Sequence, residues 1–411
     1  MHDLRRSLLL LVLLVGTPNL GADVLVVPDD HPRLALAILA ADAGDEIVVR
    51  TSTPQDPTAL GPIVIDKALT ILGDPVCNIE PGGLGLQFAG PGSGEVTFVN
   101  TNIYHDFFGN PQPLVVGGGF EAIQFVDCTV QALQRASWGN LQYAPIDLVD
   151  VGRLNVFGST IQAGLGDREL GYFCYAPSAP EQEPGIQAPD STVLLVDSTV
   201  YGGSFSPIQL VEVSTQDCPA DLNSWSGRGG DGVVAKDVYS WNSVVVPGTG
   251  LTWMSYDDGG SPGCQSGAGT PVTCGKLPDG QAYVTTGVLE VNGCSRLTQT
   301  ARVVKLGTSW SIAWDAGDPT CRPSLANCQG TCVGLLYLAL APPAQPTPFP
   351  GGWAHLDPAT ALFLTGFSGA VSSALSLPVP PNLVLSGLPI SAQVMLDSGE
   401  PSGPVFAVLI P

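Results

Sequence analysis

A four-residue phrase recurs along this chain and limits what it can fold into more than any other feature. Its fullest copy is Asp197-Ser198-Thr199-Val200, after the apolar run Val193-Leu194-Leu195-Val196 and before the glycine turn Gly202-Gly203. Earlier copies read Asn100-Thr101-Asn102-Ile103, Asp127-Cys128-Thr129-Val130 and Gly158-Ser159-Thr160-Ile161; a later one reads Trp241-Asn242-Ser243-Val244. A unit this small cannot bury its own apolar side, so copies gain stability only by stacking on one another. The closing apolar positions lie 27, 31, 39 and 44 residues apart. The basic unit is therefore shorter than ~30 residues, and the later units carry insertions.

Composition agrees. The 411 residues allow two or three domains, and 50 Gly with 37 Pro against 13% charged residues favours a turn-rich, mostly β protein. An apolar content of 44% argues against wholesale disorder. The formal charge of −22 repels nucleic acid and anionic lipid, so DNA and RNA are set aside as partners. The same excess of carboxylates would attract Ca²⁺, a hard cation that prefers oxygen ligands. A solubilising surface is the simpler reading.

Residues 1–22 have the form of a secretory signal peptide: Arg5-Arg6, an apolar run from Leu8 to Val15, then Leu20-Gly21-Ala22 before Asp23. No later stretch holds 18 consecutive apolar residues, so a released or surface-attached protein is expected. The ten cysteines all lie beyond residue 22, and in an exported chain that points to disulfides. Zinc ligation by Cys321, Cys328 and Cys332 is disfavoured by their spacing and the lack of a nearby His.

After residue 22 come a strand run at Val24-Leu25-Val26-Val27 and a short helical phrase from Arg33 to Ala41, with Leu34, Ala37, Ile38 and Ala41 at helical spacing. Strands follow at 46–50, 62–65 and 68–73. This wording, Leu-Ala-x-x-Ala-x-Ala-Gly-Asp-x-Ile-x-Val and then Ile-x-Ile-x-Lys-x-Leu-Thr-Ile-x-Gly, resembles the opening of right-handed parallel β-helix proteins of the pectate-lyase-like superfamily. The resemblance covers about 45 residues. It implies that the helix caps the apolar end of a coil and that the next strands form its first turn, and it carries no reaction with it. The repeats fit such a coil: β-branched residues face inward, turn formers hold the corners, and the Ser/Thr positions stack as hydroxyl ladders.

Two insertions attract functional interest, one from about Gly164 to Pro189 and one from Ser204 to Asp231. Both leave consecutive coils after matching phrases, so they should emerge side by side, with Cys174 and Cys218 expected to bridge them. Residues 251–286 read as connecting loops, with a hairpin closed by a Cys264–Cys274 disulfide. From 287 to 411, alternating strands at roughly ten-residue spacing with proline turns suggest a small antiparallel β-sandwich. Its ending (Leu356-Asp357-Pro358, Leu377-Pro378-Val379-Pro380, Leu385-Ser386-Gly387-Leu388) resembles the carboxy-terminal β-domain of many secreted planctomycete and related bacterial proteins.

Enzymes of the superfamily cleave acidic polysaccharides, the lyases with Ca²⁺ and an Arg or Lys base, the hydrolases with clustered Asp and a His. The hydrolase set is missing: no His lies in 106–354. For a lyase, Asp147, Asp190 and Asp231 (or Asp237) would hold Ca²⁺, with Arg153, Arg168, Arg228 or Lys236 as base. The competing and preferred reading makes these residues corner caps for backbone N–H groups. No Gly-x-Ser-x-Gly motif occurs, and the Gly-rich runs lack the Lys-Ser/Thr of a phosphate loop. Tyr172, Phe173, Tyr175 and Trp225 on the insertions are candidates to stack on sugar rings.

The expectation is thus an all-β chain: a signal peptide (1–22), a right-handed parallel β-helix (23–250), loops (251–286) and a β-sandwich (287–411). The preferred function is non-catalytic recognition of a polysaccharide, cell-surface glycan or other surface by an exported protein. A divergent Ca²⁺-dependent polysaccharide lyase is the alternative.

Overall fold

The computed structural model is described over residues 23–50, 62–81, 85–105, 113–132, 144–166, 182–205, 228–250, 252–255, 272–276, 278–292, 297–314, 333–341, 343–349, 352–356, 361–368, 373–382, 386–396 and 402–410. Among the described residues the chain is all-β apart from one short helix, and their larger part is a parallel β-helix with three strand-bearing faces. Parallel register runs unbroken from coil to coil: Ile47 lies beside Ile71, then Phe98, Phe125, Val156 and Leu195. All six are fully buried, and the Phe98 and Phe125 rings stack with centroids 5.3 Å apart. Neighbouring coils are therefore one strand spacing apart (~4.8 Å), and identical positions fall into columns.

The first face comprises Ile63–Ile65, Leu86–Ala89 and the opening parts of Val115–Val126, Ile146–Phe157, Ile186–Val196 and Val233–Trp241. The second holds Glu46–Val49 and the segments leading up to the repeated phrase. The third holds Thr129–Ala132, Thr160–Gln162, Thr199–Tyr201 and Val244–Val246.

The repeated phrase is the corner between the second and third faces. Asn100, Asp127, Asp197 and Asn242 have φ of 50°, 51°, 51° and 49°, and Gly158 has 57°. Asn, Asp and Gly are the residues that tolerate this left-handed conformation most readily, which explains the variation at the first position of the phrase. The corner also corrects one alignment. Asn242 makes the turn, so Val245 pairs with Val200, whereas the sequence reading put Val244 there. An earlier copy, Cys77-Asn78-Ile79, pairs with Thr101-Asn102-Ile103.

The second residue of each phrase points inward and builds a buried polar ladder. Thr101 Oγ1 lies 3.1 Å from Cys128 Sγ, and the Cys128 N–H donates to Ser159 Oγ at 2.9 Å. The Ser159 N–H donates to Ser198 Oγ at 3.2 Å and the Ser198 N–H to Ser243 Oγ at 3.0 Å. Each serine hydroxyl has its one proton within reach of backbone carbonyls; for Ser198 the acceptors at 2.9 Å are Val156 and Val196. Chained in this way, the hydroxyls satisfy backbone groups that the tight corner would leave without partners.

Cys77 and Cys128 correct the expectation that the cysteines pair. Both are free and buried in this column, with Thr101 between their layers. Burial pushes the Cys77 thiol up to about 12 and the Cys128 thiol to about 11.

The helix Leu34–Ala40 buries Leu34, Ala37 and Ile38 against the first coil and leaves Leu39 exposed. At the far end the stack passes residue 250, where the sequence reading had placed its boundary. Tyr283–Thr285 and Leu289–Asn292 pair in parallel with Val233–Trp241. The antiparallel pair Thr252–Ser255 with Val272–Lys276 is thus the stem of one more insertion.

Beyond residue 296, a three-stranded and a five-stranded sheet enclose a separate core of Trp310, Ile312, Leu336, Ala392, Val394 and neighbours. This is the small β-sandwich. It does not trail from the stack; it lies along the second face. In the strand Val405–Ile410, Val405, Ala407 and Leu409 face the sandwich core, while Phe406, Val408 and Ile410 face the β-helix. They meet a column of outward apolar side chains: Val48, Leu72, Val99, Val126, Phe157, Val196 and Trp241.

Candidate functional site

What the coil offers a partner depends on which faces the sandwich leaves open. The second face is occupied. Phe157 and Phe406 stack at 4.6 Å with an interplanar angle of 19°. His355 is fully buried between Tyr239 and Trp241, and Trp241 Nε1 donates to its Nε2 at 3.3 Å. Burial holds the imidazole down to about 3.

Arg302, from the sandwich side, reaches the corner column. It pairs with Asp127 Oδ1 at 3.0 Å and Asp197 Oδ2 at 2.6 Å, two coils apart. The coil between them presents Gly158, where a Cβ would collide with both the guanidinium and Asp127. Burial raises the Asp127 pKa, and the Arg302 charge pulls it back down.

Arg153, a candidate base, belongs to this interface. It is 6% exposed, pairs with Glu95 at 3.0 Å and Glu121 at 3.3 Å, and donates to the Pro343 carbonyl at 2.6 Å. Burial raises Glu95, and Arg153 opposes the rise. Two of these contacts tie neighbouring coils together and the third, to Pro343, reaches the sandwich, so the buried guanidinium has little open side toward a substrate.

The carboxylates proposed for Ca²⁺ fall on three different columns. Asp147 is on the first face, next to Gln187 in register, with burial raising its pKa. Asp190 is exposed at the corner between the first and second faces. Asp231 sits where an insertion rejoins the coil; its Oδ1 accepts from Arg228 and from the Gln281 N–H at 2.7 Å. Asp237 accepts the Val288 N–H at 2.7 Å. Asp231 and Asp237 therefore cap backbone N–H groups of the next coil. Among the described residues, no three carboxylate, imidazole or thiol side chains converge at metal-binding range. Lys236 is exposed. Arg168, Tyr172, Phe173, Cys174, Tyr175, Cys218, Trp225 and Cys264 lie outside the described residues, as does the side chain of Cys274.

The stems of the two central insertions are described. Leu165–Gly166 and Ser204–Phe205 leave the coil in parallel register. Their bases are joined by a run of close backbone bonds: the Gly203 N–H donates to Glu183 O, Gly230 to Gly203, Gly248 to Gly230 and Gly280 to Gly248, at 2.7–3.0 Å. A Cβ on Gly230 or Gly248 would collide with this backbone. Glycine is required here by close approach.

The third face escaped the sequence reading as a site. Its outward positions form two columns. Asn78, Asn102, Thr129, Thr160, Thr199 and Val244 make one, and Tyr104, Gln131, Gln162, Tyr201 and Val246 the other. None carries a charge, and all are at least partly exposed, with Tyr201 at 39% and Val244 at 56%. The apolar column Val48, Leu72, Val99, Val126, Phe157, Val196 and Trp241 on the second face is at most 5% exposed. Side chains bond within the columns, Asn102 Nδ2 to Asn78 Oδ1 and Gln131 Nε2 to Gln162 Oε1, both at 3.1 Å. Alternation in Thr-Val-Gln and Thr-Ile-Gln was the available signal, since the residues flanking the inward Val or Ile must face out. No family model, no curated protein and no solved structure matches the chain.

Proposed function

We propose that this protein is an exported surface or extracellular β-helix protein that recognises glycan or another surface without catalysis. The observation that supports this most is the third face, a regular, uncharged array of amide, hydroxyl and phenol groups beside the stems of the insertions. The sandwich occupies a different face. A long regular array favours an extended ligand, because the Asn78–Asn102 and Gln131–Gln162 bonds order those amides before the ligand arrives and leave less ordering entropy to lose on binding. The sandwich serves in this reading as a lateral brace, and the leading segment as an export signal.

Glycan-array binding of the protein lacking residues 1–22 tests the proposal. Reproducible binding to a set of polysaccharides is expected; an empty array would refute it. A parallel incubation with uronate-containing polysaccharides, with and without Ca²⁺, separates the lyase alternative. New absorbance from unsaturated products would establish that alternative in place of recognition alone.

A further inference from the structure

We infer that the third face carries a subsite for a neutral, extended polysaccharide running along the stack, centred on the column Tyr104, Gln131, Gln162 and Tyr201. This rests on the recognition reading above and specifies its ligand. Four successive coils place these side chains in register, so the column is aromatic, amide, amide, aromatic, with each member one strand spacing (~4.8 Å) from the next. That repeat is close to the length of one pyranose unit in an extended chain, so one sugar lies over each coil.

Each element of the column matches part of such a chain. The Tyr201 ring, 39% exposed, offers an apolar face for the C–H side of a sugar. The amides are aligned by the 3.1 Å bond from Gln131 Nε2 to Gln162 Oε1. An amide has two donors and an acceptor oxygen, so that bond uses one donor of Gln131 and leaves groups on both residues for ring hydroxyls. Thr129, Thr160 and Thr199 run alongside as a second rail of hydroxyls.

Charge selects the class of glycan. The protein carries −22 overall, and the outward positions of this face hold no Lys or Arg to pair with a uronate. A polyanion meets repulsion with nothing to offset it, whereas a neutral chain loses nothing on approach.

Affinity electrophoresis of the protein lacking residues 1–22, through gels containing mixed-linkage β-glucan, galactomannan or polygalacturonate, tests this. Retardation by a neutral polymer and none by polygalacturonate is expected. Tyr201→Ala and, separately, Gln162→Glu should each weaken retardation by about tenfold or more. Both positions face outward, and circular dichroism checks that the variants fold. Gln187→Ala, on the first face, should leave it unchanged. If a neutral glycan binds and the third-face variants bind as well as wild type, this subsite is refuted while the recognition reading stands. Preference for polygalacturonate refutes the neutral chemistry. Binding of no glycan refutes both.

Discussion

Removing the Phe406 ring tests the lateral docking of the sandwich directly. Phe406 is fully buried and stacked on Phe157, and it belongs to neither the sandwich core nor the coil interior. A Phe side chain buries about 150–250 Å²; at ~25 cal/mol per Å² that is worth roughly 4–6 kcal/mol. Because area bookkeeping against an extended chain overestimates burial, the lower range for buried Phe→Ala, ~3–5 kcal/mol, is the better expectation. The loss should fall on docking alone. In guanidinium titrations followed by tryptophan fluorescence, Trp241 and Trp353 sit at this interface and report undocking. Wild type should show docking and unfolding together, and Phe406→Ala should show an early fluorescence step before the main transition. A double-mutant cycle with Phe157→Ala should return a coupling of about 0.5–1.5 kcal/mol from the stacked pair. A loss below ~1 kcal/mol with a single unshifted transition, or strictly additive effects, would refute the packing argument.

Acid should weaken the same interface through His355. Its folded pKa of about 3 lies below the ordinary value of 6.5, so from about pH 6.5 downward the unfolded chain binds a proton that the folded chain refuses. Stability is fully present above pH 6.5 and falls by several kcal/mol as pH approaches 3. Burial raises Glu46, Glu95 and Asp127; these take up protons more readily when folded and so act in the opposite direction. Denaturation midpoints at pH 7 and pH 4 should differ less in His355→Gln than in wild type, and equal differences would count against the assignment. Gly158→Val combines left-handed strain of about 1–2 kcal/mol with displacement of Arg302, so thermal unfolding should show a loss of at least that size. Arg302→Ala in the Gly158→Val background should then add little. Alkylation followed by peptide mapping should leave Cys77 and Cys128 unmodified in the folded protein and label both after unfolding, because burial holds their pKa values near 12 and 11.

The stack was legible in the sequence because its corner tolerates few residue types. Asn100, Asp127, Gly158, Asp197 and Asn242 occupy one left-handed position, and the inward Ser or Thr follows from the backbone groups left over at the bend. The capping helix was legible from its 3/4 spacing. The docked sandwich was not foreseen, although a trace of it is present: Val193-Leu194-Leu195-Val196 is apolar at every position, where a strand open on one side would alternate. Leu194 and Val196 are buried outward, against the other unit. Which partner covers them depends on long-range pairing that no local pattern encodes. Asp147, Asp190 and Asp231 were grouped by similar spacing from their repeats, but insertions of different length put them on separate columns. The third face was passed over because Thr and Gln in short strands look like ordinary solvated positions until register lines them up.

The distances between successive closing positions, 27, 31, 39 and 45 residues from Ile103 through Val130, Ile161, Val200 and Val245, leave register undisturbed. Whatever length of chain leaves the coil after Gly166 or Phe205, the next strand resumes in step because the glycine contacts at the base, not the excursion, fix where it returns. The scaffold therefore lets the inserted lengths differ without shifting its interior, and foreign peptides grafted between residues 166 and 182 should leave the neighbouring layers unaltered.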